Sequence, residues 1–176
     1  MKRIIFHWTG GSNYPNSADL QHYHFLIDKD GKLYKGKFPV SANEICKTDQ
    51  FGHALYAAHT GGGNTGSVGV AVCGMANFNG KLSSTKFPLT AIQLEKMFSV
   101  GAKLCKQYAI PISPDTVLTH YEFGRAYPKT TSHGKIDISF LPPYLSLRSD
   151  EVGIFIRNKV LWYLKKTNNS VNRKIH

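Results

Sequence analysis

The run at residues 67–73, SVGVAVC, sets the tightest limit on the fold, because it holds no charged side chain and sits between the glycine-rich TGGGNTG and Gly74. A strand that is apolar on both faces must be covered on both, which places it in the middle of a sheet with further layers around it. A second apolar run, residues 2–8, carries Ile4, Ile5 and Phe6 and ends with His7 before a Gly-Gly break. Residues 23–28 and 32–36 flank Asp30-Gly31, the dipeptide of a tight hairpin. Residues 117–120, VLTH, read as one more short strand. Residues 90–108 read as a helix: Thr90 and Gln93 form a capping box, and Ile92, Leu94, Met97, Phe98, Leu104, Cys105 and Tyr108 line one side. Residues 17–21 suit one helical turn. Ser149 or Asp150 starts a last helix with Val152, Phe155, Ile156, Val160, Tyr163 and Leu164 at helical spacing. Residues 37–66, 82–89 and 121–143 read as mostly loop. The expected class is α/β (α+β): a single domain with a mixed central β-sheet flanked by helices over residues 1–145, then a basic amphipathic helix and tail over 146–176.

The chain has 176 residues, 41% of them apolar, which is enough to bury a core and argues against disorder. Its 22 Lys and Arg against 11 Asp and Glu give +11, so an anionic partner is expected: nucleic acid, an acidic membrane face or a bacterial wall polymer. Residues 1–145 hold 15 cations and 9 anions, whereas 146–176 hold 7 and 2, so the excess is densest at the C-terminal end. No run reaches the roughly 18 apolar residues of a transmembrane helix. MKRIIFHWTGG lacks the hydrophobic region and cleavage site of a signal peptide. Cys46, Cys73 and Cys105 show no C-x-x-C spacing and argue against a disulfide framework. The expectation is a protein made and held in the cytoplasm, with any export by another route.

Among the histidines, His7 and His120 each end a short apolar strand, where open sheets present ligands and catalysts. Two such histidines and a carboxylate make a zinc site whose fourth position stays open to water. Each is equally readable as a half-buried histidine bonded to backbone. The stretch TTSHGKIDISFL, residues 130–141, offers His133 and Asp137 as the third ligand. If 135–137 is extended, Lys135 and Asp137 point to one side, and the ammonium can meet an oxyanion. A surface lysine and a turn-capping aspartate fit those residue types too.

The set IIFHWTGG, YHFLIDKDG, AAHTGGGNTGSVGVAVCG, VLTH and K-x-D, in that order, resembles the zinc amidases that cut peptidoglycan. This is the N-acetylmuramoyl-L-alanine amidase family of phage endolysins, wall-recycling amidases and animal peptidoglycan-recognition proteins. The resemblance covers roughly residues 3–142. It implies one Zn²⁺ on His7, His120 and Asp137, with His133 as the competing third ligand. It also implies that Tyr23 hydrogen-bonds the attacking water or the tetrahedral intermediate, with Lys135 as a second donor. The recycling branch carries a glutamate in I-G-I-E-x-x-G, and Ala71 stands at that position. His59 and Asn64 match positions lining the family's substrate groove, although both can serve only to order the glycine-rich loop. Trp8 and Thr9 follow a ligand and can wall the groove, and Trp8 can equally be core. The implied reaction is hydrolysis of the amide between N-acetylmuramic acid and L-alanine, with zinc polarising the carbonyl and lowering the pKa of water to about 7. A phage-type endolysin, held in the cytoplasm until released to the wall, is the expected setting. Peptidoglycan is the expected partner, and the basic C-terminal segment is a candidate contact with an anionic wall or membrane.

Residues 61–66 spell G-x-G-x-x-G, but a strand follows where a dinucleotide site needs a helix, and no lysine completes a P-loop. Asn168-Asn169-Ser170 reads as a chance sequon. The rival from another class is a peptidoglycan-binding protein of the same fold without catalysis. A nucleic-acid binder rests on charge alone, with no binding motif to support it.

Overall fold

A computed structural model describes residues 1–172 of the chain. Strand β1 (Arg3–Trp8) leads into a short helix, α1 (Ser17–His22), and then the hairpin of β2 (Phe25–Ile27) and β3 (Leu33–Lys35). A 3₁₀ turn at Val40–Asn43 and a long loop follow before β4 (Ser67–Val72), whose six residues are all buried. Helix α2 (Ala91–Tyr108), β5 (Val117–Thr119), helix α3 (His120–Ala126) and helix α4 (Ser149–Asn172) complete the described chain. Strand order is β3-β2-β4-β1-β5, and β4 is parallel to both β2 and β1, with β5 parallel to β1 and β3 antiparallel to β2. The apolar run thus lies at the centre of a mixed five-stranded sheet.

Strand parity divides the two faces of that sheet. Ile4, Phe6, Val68, Val70 and Val72 pack with Leu94, Met97 and Phe98 of α2 and with Val152, Ile156 and Val160 of α4. The opposite face carries His7, and beside it a small cluster of Leu26, Ala71 and Cys73 with Tyr23 against it. Register puts His7 next to Ala71. Helix α2 forms as expected, with Thr90 and Gln93 in a reciprocal capping box. The Gln93 amide, fully buried, also donates to the carbonyls of Ile27 and Cys73 at 2.8 Å and pins the helix to two strand ends.

Two expectations change. Residues 121–143 are not loop throughout, because Thr119 and Glu122 form a second capping box that starts α3. His120 is therefore the first residue of a helix rather than the last of a strand. Residues 40–43 and 82–84 form short 3₁₀ turns within the expected loops. Helix α4 buries Val152, Ile156 and Val160, and Arg157 pairs with Glu122 at 3.0 Å. Its outward side exposes Ile154, Leu161, Trp162, Lys165 and Lys166. Among the described residues no helix is long and apolar enough to cross a membrane. Arg173, Lys174 and His176, included in the expected basic tail, lie outside the described residues.

Candidate active site

His7 enters from the C-terminal end of β1, on the face away from α2, and is fully buried. His120 enters from the first turn of α3 and Asp137 from the irregular segment that follows it. Both imidazoles turn Nδ1 to the same carboxylate oxygen: His7 Nδ1 and His120 Nδ1 each lie 2.9 Å from Asp137 Oδ2. One donor atom from each of the three residues lies within 4.8 Å of the others. The sequence separation between His7 and Asp137 is 130 residues.

Burial and hydrogen bonding set the states of His7, Asp137 and Tyr23. Burial lowers the His7 pKa to about 4 despite the hydrogen bond to Asp137, so this ring is neutral near pH 7. Burial raises the Asp137 carboxyl, but its hydrogen bonds to His120 and His7 outweigh that and hold it below the usual carboxylate range. Tyr23, its ring centroid 5.2 Å from that of His7, is pushed up by burial and then by the Asp137 charge. Its phenol therefore stays protonated and can donate. An anionic oxygen and two imidazole nitrogens are the donor set that suits zinc, and their spacing fits a single ion.

His120 and Asp137 line a cavity of about 480 Å³ together with Trp8, Thr9, Tyr23, His59 and Lys135, and His7 lies fully buried behind Asp137. Lys135 and Asp137 both reach it, although residues 135–136 carry no strand. Trp8 does both things open to it, being buried and edge-on to Phe78 while contributing to the cavity wall. Thr9 Oγ1 accepts from the backbone of Gly11 and Gly74 and so braces the rim. His133 is exposed and lies outside the donor group.

His59 lines this cavity, whereas Asn64 does not. His59 Nδ1 lies 2.7 Å from Thr60 Oγ1 and 3.2 Å from His7 Nε2, and its Nε2 is buried without a hydrogen-bond partner. Its pKa is held well below the ordinary value, first by burial and then by His7. Asn64 Oδ1 accepts from the Thr60 amide, and Asn64 lines a separate cavity with Lys2, Arg3 and Glu44. The structure does not bring it to the metal side.

Sequence reasoning missed Thr60, Ser132 and His22, all at or beside this cavity. Thr60 and Ser132 sit beside motif residues, yet hydroxyl side chains in loops are too common to single out. Ala71 occupies the place beside His7 in the sheet, and among the described residues Asp137 is the only carboxylate on the cavity wall.

The family model described as N-acetylmuramoyl-L-alanine amidase matches residues 1–136. That match stops one residue short of Asp137, so the third donor rests on the geometry. A mutant of PlyL superposes with a TM-score of 0.51 at 21% identity, covering 90% of this chain and 83% of that one. The Ph2119 endolysin from the Thermus scotoductus bacteriophage Ph2119 does so at 0.50 and 16%, over 90% and 83%. Bumblebee PGRP-SA does so at 0.50 and 15%, over 86% and 80%. At such identities these likenesses concern the fold. No curated protein matches by sequence.

Proposed function

Starting from the chain's membership of the N-acetylmuramoyl-L-alanine amidase family, we propose that it hydrolyses the amide between N-acetylmuramic acid and L-alanine in peptidoglycan, as a zinc enzyme of the endolysin kind. The observation that carries this reading is the convergence of His7 Nδ1 and His120 Nδ1 on Asp137 Oδ2, with His120 and Asp137 on the wall of an open cavity. His7, His120 and Asp137 would hold the ion. Zinc bound there supplies a Lewis acid for the lactyl carbonyl and water of lowered pKa near neutrality.

The remaining work falls to this chain's own groups. Tyr23, protonated at neutral pH, donates toward the oxygen that gains charge as the carbonyl is attacked. Lys135, exposed on the cavity wall, brings a second donor to the same oxygen. The water oxygen joins the lactyl carbon, the C–N bond breaks, and the L-alanine amine leaves with a proton from that water. Residues 1–145 form the catalytic unit in this reading. The outward face of α4, with Trp162, Lys165 and Lys166, would meet an anionic wall or membrane by charge.

A second reading, binding of peptidoglycan without cleavage, draws on Ala71, which leaves no second carboxylate beside His7 as a base. The two separate on purified walls with one preparation. An enzyme holds one zinc, clears the suspension, loses that activity with chelator and leaves new L-alanine amino termini. Pelleting with walls that stay turbid and gain no amino termini would establish the binder instead.

A further inference from the structure

The hydroxyl of Ser132 resolves a question the three donors leave open, namely which nitrogen of His120 carries the proton. Ser132 is fully buried and its Oγ donates to the Gly61 carbonyl at 2.8 Å. Its single hydrogen is thereby spent, so toward His120 Nε2, 2.9 Å away, Ser132 Oγ can only accept. Nε2 must then carry a proton. In the neutral ring this leaves a bare lone pair on Nδ1, aimed at Asp137 Oδ2 2.9 Å away. The contact with Asp137 is a hydrogen bond only while Nδ1 keeps a proton; in the neutral ring with Nε2–H, two lone pairs face each other there, an arrangement that a cation between them relieves.

The glycine-rich turn makes this contact possible. A Cβ on Gly61 would overlap Thr131 Oγ1, and one on Gly62 would lie 2.5 Å from Thr130 Cγ2. A Cβ on Gly124 of α3 would overlap the Ser132 carbonyl oxygen. All three positions lack a side chain where the 130–132 turn enters between the Gly61 turn and α3. His7 is held more loosely. Its Nε2 is shared between His59 Nδ1 at 3.2 Å and Thr60 Oγ1 at 3.3 Å, and Thr60, unlike Ser132, has no carbonyl that fixes the direction of its hydroxyl.

We infer that Ser132 is a positioning residue: braced by the Gly61 carbonyl, it keeps His120 in the tautomer whose Nδ1 is free to bind a divalent cation. The inference rests on the reading that His7, His120 and Asp137 hold zinc, and it assigns the TGGG motif a role in building that site.

The test uses the full chain with ¹⁵N-labelled histidine, zinc salt as the titrant, and no wall substrate. In metal-free protein near pH 8, two-bond ¹⁵N–¹H correlations are expected to place the His120 proton on Nε2. In Ser132→Ala that proton should shift toward Nδ1, and the affinity for zinc should fall about 10- to 100-fold, the usual effect of losing a partner behind a ligand histidine. Thr60→Val should weaken zinc binding less than Ser132→Ala. A wild-type His120 protonated on Nδ1 alone overturns the inference without any variant being needed. Wild-type zinc affinity in a folded Ser132→Ala overturns it as well. Absence of zinc binding by the wild type with the Nε2 proton in place would instead sink the metal reading while leaving the tautomer assignment standing.

Discussion

At His24 both ring nitrogens are spent on the fold: Nδ1 accepts from the Gly69 amide at 2.9 Å, and Nε2 donates to Asn43 Oδ1 at 3.0 Å. Asn43 in turn donates to the carbonyls of Ala57 and Asn64, so the chain of bonds closes on backbone. At His120 one nitrogen is satisfied by Ser132, while the other faces an anionic oxygen with no proton assigned between them. Both rings are buried, at 2% and 5% exposure, so burial alone does not separate a histidine that holds the fold from one that holds a ligand. The difference lies in whether the protein satisfies both nitrogens by itself.

The largest effect that this comparison predicts is at His120. Replacing it by Ala should reduce zinc from one ion per chain to none and abolish wall clearing, measured by metal analysis and turbidity; clearing by a metal-free variant would break the assignment. Next comes Lys135→Ala, for which turnover should drop by roughly 10²- to 10³-fold, the scale of one lost oxyanion donor, with zinc content unchanged. Parallel loss of zinc would make Lys135 a structural residue.

His24 gives the third effect, on stability rather than chemistry. Burial first, then the His7 ring, lowers its pKa from 6.5 to about 4, against the contribution of Asn43. The unfolded chain therefore binds a proton there that the folded one refuses. Stability is full above about pH 6.5 and falls as the pH drops toward 4, where the loss levels off. The difference between pH 7 and 4 should amount to about 3 kcal/mol for this residue alone. His24→Gln should flatten the urea-unfolding profile of metal-free protein by that amount; an unchanged profile would show that His24 accepts its proton in the fold. The smallest effect belongs to the α4 surface. Lys165→Ala with Lys166→Ala should weaken wall clearing a few-fold at low salt and leave cleavage of soluble muropeptides within about two-fold, because exposed charges act at long range only when unscreened. Equal loss on both substrates would exclude a role confined to wall contact.

Much of the fold was readable because its signals are local. The apolar run of β4 requires cover on both faces, and β4 lies between β2 and β1. Thr90 and Gln93 announce α2 within four residues of sequence. The same kind of signal at Thr119 and Glu122 announces α3, but the adjacent VLTH pattern reads as a strand running through His120, and the helix start was masked. The G-x-G-x-x-G look-alike fails on its flanking elements, and the structure gives its glycines other reasons: the 130–132 turn packs against Gly61 and Gly62, Phe123 packs against Gly63, and Gly66 has a positive φ.

The sequence by itself determined the central strand, the placing of His7 at the end of β1, and the residue types able to bind zinc or stabilise an oxyanion. Those depend on side-chain period and chemistry, which act over a few neighbours. Only the tertiary structure decided that His7 and Asp137, 130 residues apart, share one oxygen contact, that Asn64 faces another cavity, and that Ser132 meets a carbonyl 71 residues away. Contacts of that span are set by how sheet, helices and turns pack together, and no local pattern encodes which hydroxyl among many will lie 2.9 Å from His120 Nε2.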